Sequence, residues 1–313
     1  MTSTVHTSRS EQPASQPRQD QPRNRAGVGA GERVINLLNG GFLLIWALIT
    51  TLPLLWAIVS SFKTNGEFLS SPFGLPTQPQ LDNYARAWDT ASIGQYFVNS
   101  VIVVAMSVTL TMLLGAMAGY VLARYDFVGN RLVYYGFLAG LVFPVFLALV
   151  PLFFVVRNTG NLPLIGQFLG LNSHISLALV YVAFSLPFTV FFLSAFFRTL
   201  PTTVAEAGVM DGCSHFGLFF RVMLPMAKPG LISIGLFNFL GQWNQYILPV
   251  VLVNEPEQRV LAQGLAALSI SQGYRGDWTA LFAGMVIAIL PVLIVYILFQ
   301  KQVQAGLTAG LLK

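Results

Sequence analysis

Few residues of this chain could do chemistry, and they gather in two stretches. The first, Leu200–Leu231, reads LPTTVAEAGVMDGCSHFGLFFRVMLPMAKPGL. Thr203 followed three residues on by Glu206 forms a capping-box pattern, which predicts a helix N-terminus just after Pro201. The helix is expected to run to about Met210 and to break at Asp211-Gly212, a turn dipeptide. Ser214 is placed to cap a second helix. There Phe216, Phe219, Phe220 and Met223 follow the i, i+3, i+4, i+7 rule and predict one apolar stripe. Leu224-Pro225 and Pro229-Gly230 close the unit. A short helix-turn-helix with a greasy face has two uses. It lies on a membrane surface, or it docks to a soluble partner.

The second stretch is a run of amides. Asn238, Gln242 and Gln245 fall at i, i+4 and i+7, within roughly 60° of one another on a helix of 3.6 residues per turn. Gly235 and Gly241 flank this stripe, while Asn244 points away from it. Amides in lipid must find partners, so the stripe faces protein or water. It either glues helices together or lines a path for a polar solute.

Catalytic patterns are missing. No G-x-x-x-x-G-K-[ST] phosphate loop, H-E-x-x-H or G-x-S-x-G occurs. His6, His174 and His215 are far apart in sequence, so no metal site and no enzyme is expected.

The elements that must hold these residues are membrane helices. Of 313 residues, 55% are hydrophobic and only 9% charged, far below the roughly 25% charged of soluble domains. Six apolar runs are long enough to span a bilayer: about 34–60, 98–122, 132–156, 175–197, 231–253 and 279–299. Pro53, Pro144, Pro151, Pro187, Pro249 and Pro291 fall within them, which bundled membrane helices tolerate. Pro144 and Pro151 predict a bend in the third span. No core of a span carries a charge, whereas ion-coupled carriers keep charges there for function. A stand-alone secondary transporter or channel is the rival reading, and it lacks both that charge and a visible inverted repeat.

Residues 1–32 form a Ser, Gln, Pro and Arg-rich tail expected to be disordered, and the span after it reads as an uncleaved insertion signal. The net charge of +5 is not clustered on a polar face, which argues against nucleic acid. Arg124, Arg131, Arg198, Arg221, Lys228, Lys301 and Lys313 fall on the side of the N-terminal tail, against Lys63, Arg86, Arg157, Arg259 and Arg275 on the other. The tail tilts the balance further, so both termini are expected in the cytoplasm. The outer segment 61–97 is expected to hold a short helix through Trp88. The outer segment 254–277 shows only turn signals. Cys213 is the sole cysteine, which excludes an intrachain disulfide.

Glu206-Ala207-Gly208, Asp211-Gly212 and Leu224-Pro225 resemble the EAA loop of binding-protein-dependent ABC importer permeases. Gly208 stands where the family has a second alanine, and at about 1 kcal/mol against Ala it predicts a looser first helix. Asn83-Tyr84 before a short helix, Asn99-Ser100 at the start of a span, and the pair Pro144 and Pro151 are similar to features of sugar-importer permeases. Gly306-Leu307-Thr308-Ala309-Gly310 resembles the ending of the maltose-permease-like second subunit, although Leu311-Leu312-Lys313 departs from it.

The resemblance implies an all-α membrane protein of six transmembrane helices in the type I importer arrangement, with residues 200–230 as a cytoplasmic coupling loop. It implies alternating access to a sugar or oligosaccharide in a bacterial cytoplasmic membrane. The implied partners are a second permease, two ATP-binding subunits that hold the ATP, and an extracytoplasmic solute-binding protein. This chain itself would carry no cofactor. Glu206 would meet an ATPase arginine, Gly212 would set the angle between the short helices, and Phe216, Phe219, Phe220 and Met223 would be the buried anchors. The C-terminal tail would reach toward the ATPase pair.

Overall fold

The computed structural model describes residues 30–309, with side chains from 35 to 302 except 167 and 272–275. The expected disordered tail therefore lies almost wholly outside the described residues, as does Gly310 of the C-terminal motif. The chain divides into two units at Pro53. The first holds most of helix α1 (Ala30–Ser61), which exposes apolar side chains from Ile35 to Leu52 and stacks Phe42 on Trp46. A helix so greasy all round is a lipid-facing span.

From Leu54 onward the second unit is entirely helical among the described residues. After α1 come two short helices, α2 (Asn65–Ser70) and α3 (Asp82–Ala85), the latter continuing as a π turn through Thr90. The long α4 (Ile93–Arg124) is next. Then come α5 (Asn130–Val142), α6 (Val145–Thr159), the short α7 (Gly166–Leu169) and α8 (His174–Thr199). The chain continues with α9 (Thr202–Met210), α10 (His215–Leu218), a π turn over Phe219–Met223, and α11 (Leu224–Met226). It ends with α12 (Lys228–Trp243), α13 (Ile247–Leu252), α14 (Leu261–Arg275) and α15 (Trp278–Ala309).

Four helices are long and apolar enough to cross a membrane alone, and the count reaches six if each of two bent pairs is one span. The third expected span is not one helix. It breaks between α5 and α6 with a bend of 102°, at Phe143-Pro144, while Pro151 is accommodated inside α6. Pro144 lacks the N–H that would continue the ladder and forces the residue before it out of the helical region. Phe143 accordingly has ψ 124°. The fifth expected span also stops early, at Trp243, and resumes as α13. The segment 254–277, expected to show only turns, holds a helix, α14. Its Leu261, Leu265 and Leu268 follow i, i+4, i+7 and pack toward Ile93, Tyr96 and Trp243.

Helices α4 and α8 form the centre. In lipid no hydrophobic gain separates one apolar neighbour from another, so close fit and polar pairing hold the bundle. Gly115 and Gly119, four residues apart on α4, let α8 approach. A Cβ on Gly115 would lie 2.4 Å from Thr189 Cγ2, and one on Gly119 would lie 3.1 Å from the Ser194 nitrogen. Around this seam Val190, Leu193 and Phe197 are fully buried.

At one end of the bundle a polar clamp fixes α2 and α3 to the start of α15. Buried Asn83 donates from Nδ2 to the carbonyls of Ser61 (2.7 Å) and Lys63 (2.8 Å), and its Oδ1 accepts from Arg86 (2.7 Å). Arg86 pairs with Asp277 at 3.2 Å and with Asp82 at 2.6 Å. Asn99 Nδ2 reaches the carbonyls of Glu257 and Arg259, and Ser100 Oγ accepts from the Leu261 nitrogen. Asn83, Asn99 and Ser100 thus staple loops to the bundle.

Burial alone raises the Asp277 carboxyl, but hydrogen bonds from Arg86, Asn65 and the Ala280 N–H outweigh it and hold its pKa below the ordinary value. A carboxylate depressed in the folded state stabilises above its unfolded pKa, and that contribution fades as pH falls through the folded one. The melting temperature should therefore fall once pH drops below about 4. Asp277→Asn should lower it at neutral pH and flatten the acid slope in a thermal-shift series. An unchanged slope would count against the clamp.

Candidate functional site: the 200–231 loop and the amide seam above it

Helix α9 ends where the sequence says it should. The Cys213 nitrogen donates to the Gly208 carbonyl (3.0 Å) and the Gly212 nitrogen to the Val209 carbonyl (3.0 Å), the two bonds of a Schellman motif. Gly212 has φ +79°, the left-handed conformation this motif requires. Ser214 then caps α10, its Oγ accepting from the Gly217 nitrogen at 3.2 Å. The N-terminus of α9 differs from expectation. Pro201 is the N-cap and makes no side-chain cap, so Thr203 lies inside the first turn and the capping box with Glu206 does not form.

Gly208 is not merely a weak helix former. It is buried, and a Cβ there would come within 2.7 Å of Leu218 Cδ1, so glycine lets α9 lie close on α10.

The apolar stripe is split. A π turn, one residue wider than an α turn, runs over Phe219–Met223. Phe219 and Met223 are 4% and 0% exposed and belong to the core with Tyr120, Leu193 and Phe197, so neither is a partner anchor. Phe216 (69%) and Phe220 (43%) are the exposed members. Leu224 is half-buried and Pro225 exposed. Glu206, Ala207, Asp211 and Gly212 are exposed as well, and beside them stand Val209 and Met210, the latter 87% exposed. Sequence reasoning passed over Val209 and Met210. Two apolar residues directly before a turn dipeptide, off the buried face, were the available signal.

The loop is tied back to the bundle by polar bonds. Arg124 donates to the Leu200 carbonyl, and Tyr125 Oη lies 2.9 Å from His215 Nδ1. Phe216 and His215 form one side of an apolar groove of about 360 Å³ against Tyr120 and Tyr125. Cys213 is half-buried and packs on the edge of the core.

The amides of α12 serve the bundle. Asn238 donates to Thr189 Oγ1 on α8 at 2.8 Å and contacts Met112 Sδ on α4 at 3.4 Å. Gln242 accepts from Ser107 of α4 and donates to Ser185 of α8 at 3.0 Å. Both are 5% exposed, so of the two uses open to them these residues take helix pairing. Gln245 leaves the stripe because α12 stops at Trp243, and Asn244 is exposed and bonds only to its own Leu240 carbonyl (2.9 Å). Gln242→Leu takes one partner from the buried Ser107, which keeps only its 3.3 Å bond to the Val104 carbonyl, and one from the half-buried Ser185, at up to about 1–3 kcal/mol for a fully lost partner. Purified Gln242→Leu protein should therefore melt lower and release α12 to faster hydrogen exchange. Unchanged protection of α12 would contradict the seam.

Residues 111–308 match the family described as "Binding-protein-dependent transport system inner membrane component". The chain is 50% identical over 283 residues, 90% of its length and 91% of the relative's, to the diacetylchitobiose uptake system permease protein NgcG of Streptomyces coelicolor. It is 31% identical to the arabinooligosaccharides transport system permease protein AraQ of Bacillus subtilis, covering 86% of this chain and 92% of that one. Among solved structures, a bacterial ABC transporter involved in the import of the acidic polysaccharide alginate shares the fold, with a TM-score of 0.72 at 21% identity over 87% of this chain and 98% of that chain. The chain thus belongs to the binding-protein-dependent transport system inner membrane components: it is a transmembrane permease subunit of an ABC importer, a transport subunit and not an enzyme.

Proposed function

We propose that this permease imports a small neutral oligosaccharide of the N-acetylated chitobiose type. The observation that carries this is the 50% identity to the diacetylchitobiose permease over nine-tenths of both chains. A neutral cargo also agrees with span cores that carry no charge. The subunit works beside a second permease, two ATP-binding subunits and an extracytoplasmic binding protein, with the nucleotide held by the ATPase alone. Both termini lie in the cytoplasm, so the 200–231 loop meets the ATPase. Its docking face comprises Glu206, Met210, Phe216 and Phe220, with Gly212 fixing the angle behind them. Closure of the ATPase pair moves this loop, and α12, clamped to α4 and α8 through Asn238 and Gln242, carries the motion into the spans.

Uptake of labelled diacetylchitobiose by cells that lack and then regain this chain tests the substrate. Uptake should vanish and return with it, and unlabelled chito-oligosaccharides should compete. Restoration of another sugar's uptake, with none of diacetylchitobiose, would refute the substrate class while leaving the importer standing.

A further inference from the structure

The chain bends by 78° between the segment His215–Met226 and α12, and an open groove of about 590 Å³ lies in the elbow. Its lining is Pro225, Met226, Lys228, Pro229, Ile232, Lys301 and Gln302. Two features of this lining are unusual for a mostly apolar chain. Lys228 and Lys301, from helices far apart in sequence, border one groove with no acid among its lining residues, and both are exposed. Gln302 Oε1 is buried without a hydrogen-bond partner. Its backbone carbonyl is already taken by Ser233 Oγ at 3.2 Å, which fixes α15 against α12 at this point. The groove therefore offers two cations in a corner where α15 is tied to α12.

Its depth says what fills it. The apolar run of α15 gives way in sequence to Gln300-Lys301-Gln302, and that of α12 begins just after Lys228, so both lysines stand at the level where hydrocarbon gives way to headgroups. Ile232 and Met226 supply apolar lining beside them. We propose that this groove binds the headgroup of an anionic glycerophospholipid of the phosphatidylglycerol type. The phosphate diester sits between Lys228 and Lys301, and an acyl chain runs along Ile232. A soluble phosphate would satisfy the lysines but would leave the apolar lining uncovered, so the lipid is the better fit. The bound lipid would brace the elbow that joins the 200–231 loop to α12. The inference rests on the reading that this loop faces the cytoplasm.

The full transporter in vesicles of equal parts phosphatidylcholine and phosphatidylglycerol, doped with a photoactivatable phosphatidylglycerol, tests it. Peptide mapping should place the adduct on 225–232 or on the peptide holding Lys301. Lys228→Gln and Lys301→Gln should each reduce it roughly fivefold, and Lys→Arg at either position should retain it. Equal labelling by a photoactivatable phosphatidylcholine would reduce the groove to ordinary lipid contact and overturn the proposal. So would competition by excess glycerol phosphate, which would mark a soluble-anion site, or an adduct that forms only when the ATPase is removed, which would mark the groove as the partner's. In all three cases normal sugar uptake would leave the importer reading intact.

Discussion

A Gly212→Val transporter is expected to reach the membrane, keep ATP hydrolysis, and lose uptake by about tenfold or more. Gly212 sits at φ +79° with nothing within 4 Å of a built Cβ, so space is not the obstacle. The obstacle is the backbone, since a β-branched residue in the left-handed region costs roughly 1–2 kcal/mol or more. The chain escapes by abandoning the Schellman bonds from Cys213 and Gly212, and α9 then loses its fixed angle to α10. Gly212→Asn, which tolerates that conformation, should retain most uptake. Side-by-side uptake and ATPase assays on membrane vesicles check the pair. Valine and asparagine variants that behave alike would show that the angle is not what couples the two activities.

The largest effect on assembly is expected from Gly119→Val. Its Cβ would meet the Ser194 nitrogen at 3.1 Å and Leu193 Cβ at 3.2 Å, atoms of a helix backbone that cannot swing aside like a side-chain tip. Overpacking of this kind costs about 1–3 kcal/mol, and the added methyls extend the clash. The contrast is Gly140, whose Cβ would meet only Pro187, with Cγ at 3.1 Å. Gly140→Ala should be near neutral. Folded yield in detergent and melting temperature decide between them. A Gly119→Val protein of normal yield would mean that α4 and α8 do not pack as described.

How much of this was legible from the chain differs by kind of signal. The end of α9 and the cap of α10 were readable because Asp211-Gly212 and Ser214 act locally, through a glycine's φ and a hydroxyl's reach. The split of Phe216 and Phe220 from Phe219 and Met223 was not, because which edge of the stripe is buried is set by Tyr120, Leu193 and Phe197 on other helices. The amides of α12 were found, but their task depended on Ser107, Ser185 and Thr189, which lie on other helices. A bend in the third span followed from Pro144, yet its size of 102° depends on neighbours far along the chain. Gly115 and Gly119 form a small-residue pair four apart that could have marked the α4 seam directly.

The proposed coupling turns on one contact, between the exposed face of the 200–231 loop and the ATPase on the cytoplasmic side. Cys213 is half-buried and a poor reporter, whereas Met210 is 87% exposed at the tip of α9. A Cys213→Ser, Met210→Cys subunit carrying a thiol-linked photo-crosslinker in native membranes asks what covers that tip. The expected product is an adduct with a soluble subunit bearing a nucleotide-binding loop, formed only by reagent that reaches the cytoplasm. Labelling from the outer side, or capture of lipid alone, would contradict that contact.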